Sequence, residues 1–465
     1  MTPLLGAILA YLIVQFAIGI WASRRVHTED DYLVAGRRLG YPLAIFSIFA
    51  TWFGAETCIG AAGEIYRDGV SLSSAEPFGY GLCLILMGVV FAAPLWRRKL
   101  TTLADLFRTR YSVGVERLAA VVLIPTSILW AAAQVRAFGH VLSSASNLNV
   151  ELAITLAAMF VILYTIVGGL LADAVTDLVQ GAALVIGLAI ILVAAVAALG
   201  GIEGAWVAAT DSSSIRLAGP NRASFLETLE AWAIPVCGSV VATELVARVI
   251  AARSPQIARN SALAAGGIYI TVGLIPVFIG LTGAALVPAL GEPEQLLPAV
   301  AQALLPDVLY AVFAGALISA ILSTVDSTLL VASGLFSHNL VVPVVPGIPE
   351  RHKVLLARAA VGGFGIIAYV LALKAEGVYA LVEQASAFGS AGTLVIVCFG
   401  LFTRFGGAAA ATLTLAAGMG TYLVASFTGY AYPFLASLAA ALGTYVGGAA
   451  LEYALARRWQ TAADG

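Results

Sequence analysis

AILSTVDSTLLVASG, Ala320 to Gly334, lies inside an apolar run from Val312 to Leu340. A helix that crosses a bilayer needs about 20 mostly apolar residues, and this run supplies them. Yet it places Ser323, Thr324, Asp326, Ser327 and Thr328 within six positions. A charged residue at the centre of a spanning helix costs roughly 2.5–3.5 kcal/mol on insertion scales and marks a functional position. Wound as a helix, Ala320, Ser323, Thr324 and Ser327 fall at i, i+3, i+4 and i+7 on one face, with Asp326 at its border. Hydroxyl oxygens suit a hard cation, and a nearby carboxylate supplies the balancing charge. Serine and threonine also satisfy helix carbonyls or hold neighbouring helices together, so the hydroxyls alone do not decide.

The rest of the chain is of the same kind. Of its 465 residues 61% are hydrophobic and only 11% charged, against about 25% in a soluble domain. With mean hydropathy +0.97 this is an all-α polytopic membrane protein in a lipid bilayer. The near balance of 24 basic and 26 acidic residues gives no sign of a nucleic-acid partner. Cys58, Cys83, Cys237 and Cys398 all fall in apolar segments without ligand spacing and read as core.

Thirteen segments are candidates to span: 2–22, 41–66, 74–95, 116–145, 150–168, 172–200, 225–250, 260–288, 308–338, 354–374, 378–402, 408–427 and 432–456. In the first, Arg24 and Arg25 follow the apolar run and no cleavage site is evident, so a retained span fits better than a signal peptide. Positive charge concentrates on cytoplasmic loops. With the N-terminus outside and the C-terminus inside, the inner loops hold Arg24, Arg25, Arg37 and Arg38, the Arg97–Lys99 cluster, Arg248, Arg253 and Arg259, and Arg457 and Arg458. The outer loops hold only Arg67, Arg216, Arg222 and Lys374. The expected architecture is one transmembrane domain over 1–465.

Transporter folds are often built from inverted repeats whose interrupted helices stand at matching positions. The second span contains Gly54, Gly60 and Gly63 beside Glu56; the seventh contains Pro235, Gly238 and Glu244. Both read as broken helices, five spans apart, although glycine and proline are also simply frequent in membrane helices. A second polar cluster, YTIVGGLLADAVTDLVQG (Tyr164–Gly181), has a tight turn at Gly168–Gly169, then Asp173 and Asp177 on one helix face. These two are either a cation route or helix N-terminal acids favoured by the macrodipole. Glu244 and Arg248, spaced i, i+4, read as a helix ion pair or inner gate.

DYLVAGRRLG (Asp31–Gly40), FATWFGAETCIGAAGEIYRDG, the YT–GG–AD–TD–Q pattern and LSTVDSTLL together resemble the sodium:solute symporter family, which includes bacterial proline, sugar and sialic acid symporters. The resemblance implies the leucine-transporter fold, with inverted five-helix repeats at spans 2–6 and 7–11. The chain then divides into 1–40, 41–200, 225–402 and 403–465 (an extra helix and inner loop, two repeats, and two C-terminal helices). It further implies a sodium site made of the carbonyls of Ala50, Phe53 and Ala320 and the hydroxyls of Ser323 and Thr324. A second sodium, held in some members, maps to Asp177, Ser323, Asp326 and Ser327. By analogy the solute is lined by Trp52, Glu56, Thr57, Glu76, Arg136, Glu383 and Gln384. Glu76 stands where sugar-carrying relatives place an acidic ligand, whereas Arg136 suits a carboxylate or pairs internally with a glutamate. Trp52 departs from the small polar residue of some relatives.

The resulting expectation is a sodium-coupled symporter in a bacterial plasma membrane, a monomer or weak oligomer. It would import a small polar solute, with a carboxylate-bearing one (amino acid, monocarboxylate or sugar acid) favoured. A proton-coupled transporter or solute sensor of the same fold is the alternative. An enzyme is not expected, since neither HExxH nor a paired catalytic signature occurs and His27, His140, His338 and His352 are scattered.

Overall fold

The computed structural model describes residues 3–463 except 25, 145, 147, 211–214, 216–223, 289, 346 and 376. Arg25, Arg216 and Arg222 of the charge argument lie outside the described residues. The long helices are α1 (Pro3–Ser23), α2 (Tyr41–Trp52 and Glu56–Asp68), α3 (Phe78–Arg97), α4 (Val113–Ser144), α5 (Val150–Val167), α6 (Leu170–Ala198) and α7 (Phe225–Ala251). They continue as α8 (Pro255–Leu286), α9 (Asp307–Val344), α10 (Glu350–Lys374), α11 (Val378–Phe402), α12 (Ala408–Phe427) and α13 (Pro433–Ala463). Among the described residues, eleven single helices, α3 to α13, are long and apolar enough to cross a membrane, and the bent pair of α2 makes a twelfth. The apolar part of α1, Ile8–Trp21, is shorter.

Both expected interruptions are present. α2 stops at Trp52, where Phe53 turns to ψ 65°, and resumes as a wide π-type turn over Glu56–Gly60, the two halves meeting at 51°. α7 passes through a similar turn at Ile234–Gly238, where Pro235 can donate no backbone hydrogen bond, and its second half starts only at Thr243. A third interruption was not foreseen. α11 breaks at Phe388 and Gly389 (φ +70°), beside the break in α7, where a Cβ on Gly238 would stand 2.4 Å from the carbonyl oxygen of Ser386. The Gly168–Gly169 turn also forms, with Gly169 at φ +108° against the ring of Tyr32.

The loops assigned to one side of the membrane are stitched together. Arg37 donates to the carbonyls of Lys99 (3.0 Å), Leu100 (2.8 Å) and Ile250 (3.3 Å), Arg253 to that of Arg38 (2.7 Å), and Arg110 to Phe405 and Gly406. At the opposite end Trp232 donates to the Leu72 carbonyl, Glu230 accepts from the amides of Phe434 and Leu435, and Glu294 accepts from that of Val378. The molecule therefore has one arginine-rich face and one face closed by acids and tryptophan.

Small residues set how closely the central helices approach. A Cβ on Gly187 of α6 would lie 2.3 Å from the Cβ of Ala316 on α9, and one on Gly181 would lie 2.8 Å from the ring of Phe46 on α2. α6 is thereby pressed against both helices that carry the expected ion ligands. Gly187→Ala forces α6 and α9 apart and is expected to destabilise by about 1–3 kcal/mol. A lowered thermal unfolding midpoint of the purified protein checks this; an unchanged one contradicts it.

Candidate functional site

The break in α2 faces the hydroxyl-bearing face of α9. Thr324 Oγ1 lies 2.9 Å from the carbonyl of Thr51 and 3.1 Å from that of Ala320, and a Cβ on Gly54 would meet it at 2.8 Å. Ala50 and Phe53 belong to the turn that Thr324 spans, and Ala50, Phe53, Ala320, Ser323 and Thr324 are all at most 1% exposed. The five residues expected to hold sodium are thus gathered at one place. The donor set is carbonyl and hydroxyl oxygen, which fits a hard monovalent cation and not a soft metal. Among the described residues no group of three or more His, Cys, Asp or Glu is arranged to hold a metal.

Toward the arginine-rich face the same helix meets α6. Asp177 accepts hydrogen bonds from Ser47 of α2 and Ser323 of α9, and Asp326 accepts from Thr165 of α5. Arg248 of α7, wholly buried, donates to Asp173 and to Ser327. The ion pair expected between Glu244 and Arg248 does not form. Arg248 Nη1 reaches only the backbone carbonyl of Glu244 (3.2 Å), while the Glu244 carboxylate accepts from Ser127 and Thr243. The i, i+4 spacing put the two residues on one face, but the aspartates of α6 lie closer to the guanidinium. Asp173 is accordingly more than a helix-terminal acid: it is 5% exposed and paired.

Away from that face, Gln134 of α4 plugs the break of α2. Its carbonyl accepts from the Ala55 amide (3.0 Å) and its amide donates to Glu56 Oε2 (2.9 Å). Beside it Trp52 and Trp130 meet edge to face, ring centroids 5.2 Å apart, both buried. Glu76 is braced by Thr57 and Tyr269 at 3.3 Å. It lines a cavity of about 170 Å³ with Glu64, Tyr80, Pro235, Tyr379 and Glu383, and none of the lining residues is basic. Tyr80 hydrogen-bonds Ser386 at 3.0 Å; beyond that pair lies a second, water-sized cavity of about 20 Å³, lined by Trp130, Ser239, Glu244 and Ser386.

Of the residues expected around a solute, Glu76 and Glu383 line the cavity, Thr57 holds Glu76, and Trp52 and Glu56 lie deeper, at the break. Gln384 is exposed and not part of the lining. Arg136 does not join them. It points to the last turn of α10, where Nη1 approaches the Ala372 carbonyl at 3.4 Å, a position that favours a cation. Positions 134 and 136 stand about 200° apart around a helix, so a Gln134 turned into the core turns Arg136 out of it. The sequence reading passed over Trp130, Gln134, Tyr80, Tyr269 and Glu64. The i, i+4 pair Trp130/Gln134 in an otherwise apolar segment was the signal available.

The profile of the sodium:solute symporter family matches residues 32–415. The high-affinity choline transporter 1 of Caenorhabditis elegans is 26% identical over 421 residues, 82% of this chain and 71% of that protein. The sodium/pantothenate symporter of Haemophilus influenzae is 27% identical over 362 residues, 74% of each chain. Among solved structures, a Na+-coupled sialic acid symporter in a substrate-bound outward-open state superposes with a TM-score of 0.84 at 17% identity, over 96% of this chain and 97% of that one. At that identity the superposition establishes the fold, and the motifs from Tyr32 onward fall inside the matched profile. This chain belongs to the sodium:solute symporter family.

Proposed function

We propose that this sodium-coupled symporter imports a small solute bearing a substituted-ammonium group. The observation that carries the reading is the acid- and tyrosine-lined cavity with no basic residue, together with the Trp130 ring that lines the smaller space beyond the Tyr80–Ser386 pair. Carboxylates attract a cation, and indole faces hold a quaternary ammonium without demanding hydrogen bonds that it cannot give. The C. elegans relative is a choline transporter, and choline is such a cation. The expected carboxylate-bearing solute rested on Arg136, whose guanidinium lies at the end of α10 instead.

Sodium binds where α2 is interrupted, held by Ala50, Phe53, Ala320, Ser323 and Thr324. It draws the broken helix against α9 and so fixes Gln134, Glu56 and the tryptophans around the solute. Ion and solute are coupled through that shared helix, and each raises the other's affinity by the same factor. The solute enters past Glu64, Glu76 and Glu383, crosses the Tyr80–Ser386 pair, and leaves on the arginine-rich face by alternating access. That face is cytoplasmic by the charge rule, with the N-terminus outside and the C-terminus inside a bacterial plasma membrane. The repeats run over 41–200 and 225–402, with 1–40 and 403–465 added, and the site is complete within one chain, which works as a monomer or weak oligomer.

Thr324→Val keeps the shape and removes the hydroxyl, and is expected to raise the sodium concentration for half-maximal stabilisation about tenfold, as losing one oxygen that meets a charge does. Thermal shift in sodium against potassium chloride measures it; unchanged sodium affinity excludes Thr324 as a ligand. The same assay names the solute, because a ligand that binds only the folded state raises the midpoint. Choline is expected to stabilise in sodium and not in potassium, with monocarboxylates and sugars inert. A monocarboxylate or sugar that stabilises in its place refutes the ammonium assignment.

A further inference from the structure

The arginine-rich end carries a side-chain cluster that the ion and solute sites do not use. Half-buried His338, near the end of α9, lies between two carboxylates: Nδ1 is 3.1 Å from Glu29 Oε1 and Nε2 is 3.3 Å from Asp105 Oδ1. A neutral imidazole has one N–H and can donate to only one of them; the imidazolium donates to both. Beside it Asn339, fully buried, donates to Asp105 (3.0 Å) and Glu116 (2.8 Å) and accepts from Thr102 (2.7 Å). Lys353 stands 3.7 Å from Glu29, whose backbone amide donates to Glu350 at 3.1 Å.

These partners fall into two groups. His338, Asn339, Glu116, Glu350 and Lys353 belong to the ends of α9, α4 and α10. Glu29 and Asp105 belong to two short helical segments, Glu29–Val34 leading into α2 and Ala104–Arg110 following α3. Where the second half of α7 passes α9, a narrow space of about 20 Å³ is lined by Ala247 of α7 and by Leu330 and Leu335 of α9. Leu33, from the first segment, and Leu103, at the start of the second, supply more of its wall. Leu33 lies close against α9, since a Cβ on Gly334 would meet it at 3.0 Å.

We propose that His338 is a positioning residue of the transport cycle: it latches both segments across the gap between α7 and α9, and that gap opens toward the arginine-rich face only when the latch parts. The assignment rests on the reading that the solute leaves on that face. The latch is built to part. The side chains of His338 and Glu29 are 18% and 11% exposed, so water reaches them when they separate and the cost falls short of that of breaking a wholly buried pair. Asp105 is not stranded when the imidazole withdraws, because its other oxygen accepts from the amides of Thr101 (2.8 Å) and Thr102 (3.0 Å) and Arg108 stands 3.6 Å away on the same segment.

The test is alkylation of a thiol introduced in the gap by Ala247→Cys, in purified full-length protein whose partly exposed Cys237 and Cys398 are replaced by alanine. Buried Cys83 stays as the monitor of global unfolding, and mass spectrometry reads N-ethylmaleimide at both positions. His338→Gln and Glu29→Gln are each expected to speed reaction of the introduced thiol about tenfold with Cys83 unreactive, as losing a charge-assisted hydrogen bond shifts a two-state balance. His338→Lys keeps a positive charge there and is expected to restore the slow rate. His352→Gln, at an exposed residue on the same face, is expected to change nothing. Glu29→Gln decides if His338→Gln does not fold. A wild-type rate in both neutral variants, an equal rise at Cys83, or no rescue by lysine would overturn the latch and leave the exit route standing. An introduced thiol that reacts in no form would instead overturn the exit on this face.

Discussion

A helix that stops in the middle of a bilayer leaves amides and carbonyls that no water is present to satisfy, and unsatisfied groups of this kind are tolerated only where protein or a filled cavity meets them. The stop at Phe53 in α2 is this constraint, and the surrounding structure answers it group by group. The Ala55 amide is met by Gln134 and the Thr51 carbonyl by Thr324. Oxygens that a continuous helix would consume become available there, which is why the proposed sodium site lies at this break. α6 must then come close enough for Asp177 to meet Ser47 and Ser323, which requires small residues at Gly181 and Gly187.

Charge is distributed accordingly. The cavity side is acidic, with Glu64, Glu76 and Glu383 and no basic lining residue. The arginine-rich side is sealed by paired charges, Arg248 among the aspartates and, nearer the surface, a network joining Glu29, His338, Asp105, Asn339 and Glu116. In that network burial pushes the Asp105 carboxyl up, but the hydrogen bond and charge of His338 and the amides of Thr102 and Thr101 together overcome it. The group ends below its ordinary value and stays ionised.

What the sequence made legible was what depends on local periodicity. The polar face of α9, the two carboxylates of α6, the glycine turn before them and the breaks at Gly54 and Pro235 could all be read from spacing within one segment. What escaped depends on contacts between segments. Arg248 sits four residues after Glu244, and nothing local says that Asp173, on another helix, lies nearer its guanidinium. Arg136 drew attention as a buried cation, whereas the residue facing the core was the uncharged Gln134 two positions earlier. The tyrosines at positions 80, 269 and 379 look like ordinary membrane aromatics until the fold turns their hydroxyls or rings toward Glu76 and the cavity.

The third interruption, in α11, joins the cavity wall to the break of α7. Ser386 precedes the break at Gly389, holds Tyr80 of α3, and its carbonyl faces Gly238 at the break of α7. The first half of α7 brings Pro235 to the cavity, and its second half carries Arg248 into the aspartates. A rotation of α7 about its non-helical residues therefore strains the contact with Ser386 and the Arg248 pairs together. Opening the arginine-rich end separates a buried guanidinium from Asp173 and Ser327, which is costly unless solvent or another cation replaces it. That cost favours the state in which the arginine-rich end is closed and the acidic cavity is formed, the arrangement seen here. Ion and solute act by shifting this balance, and they can do so only through interactions that differ between the two states.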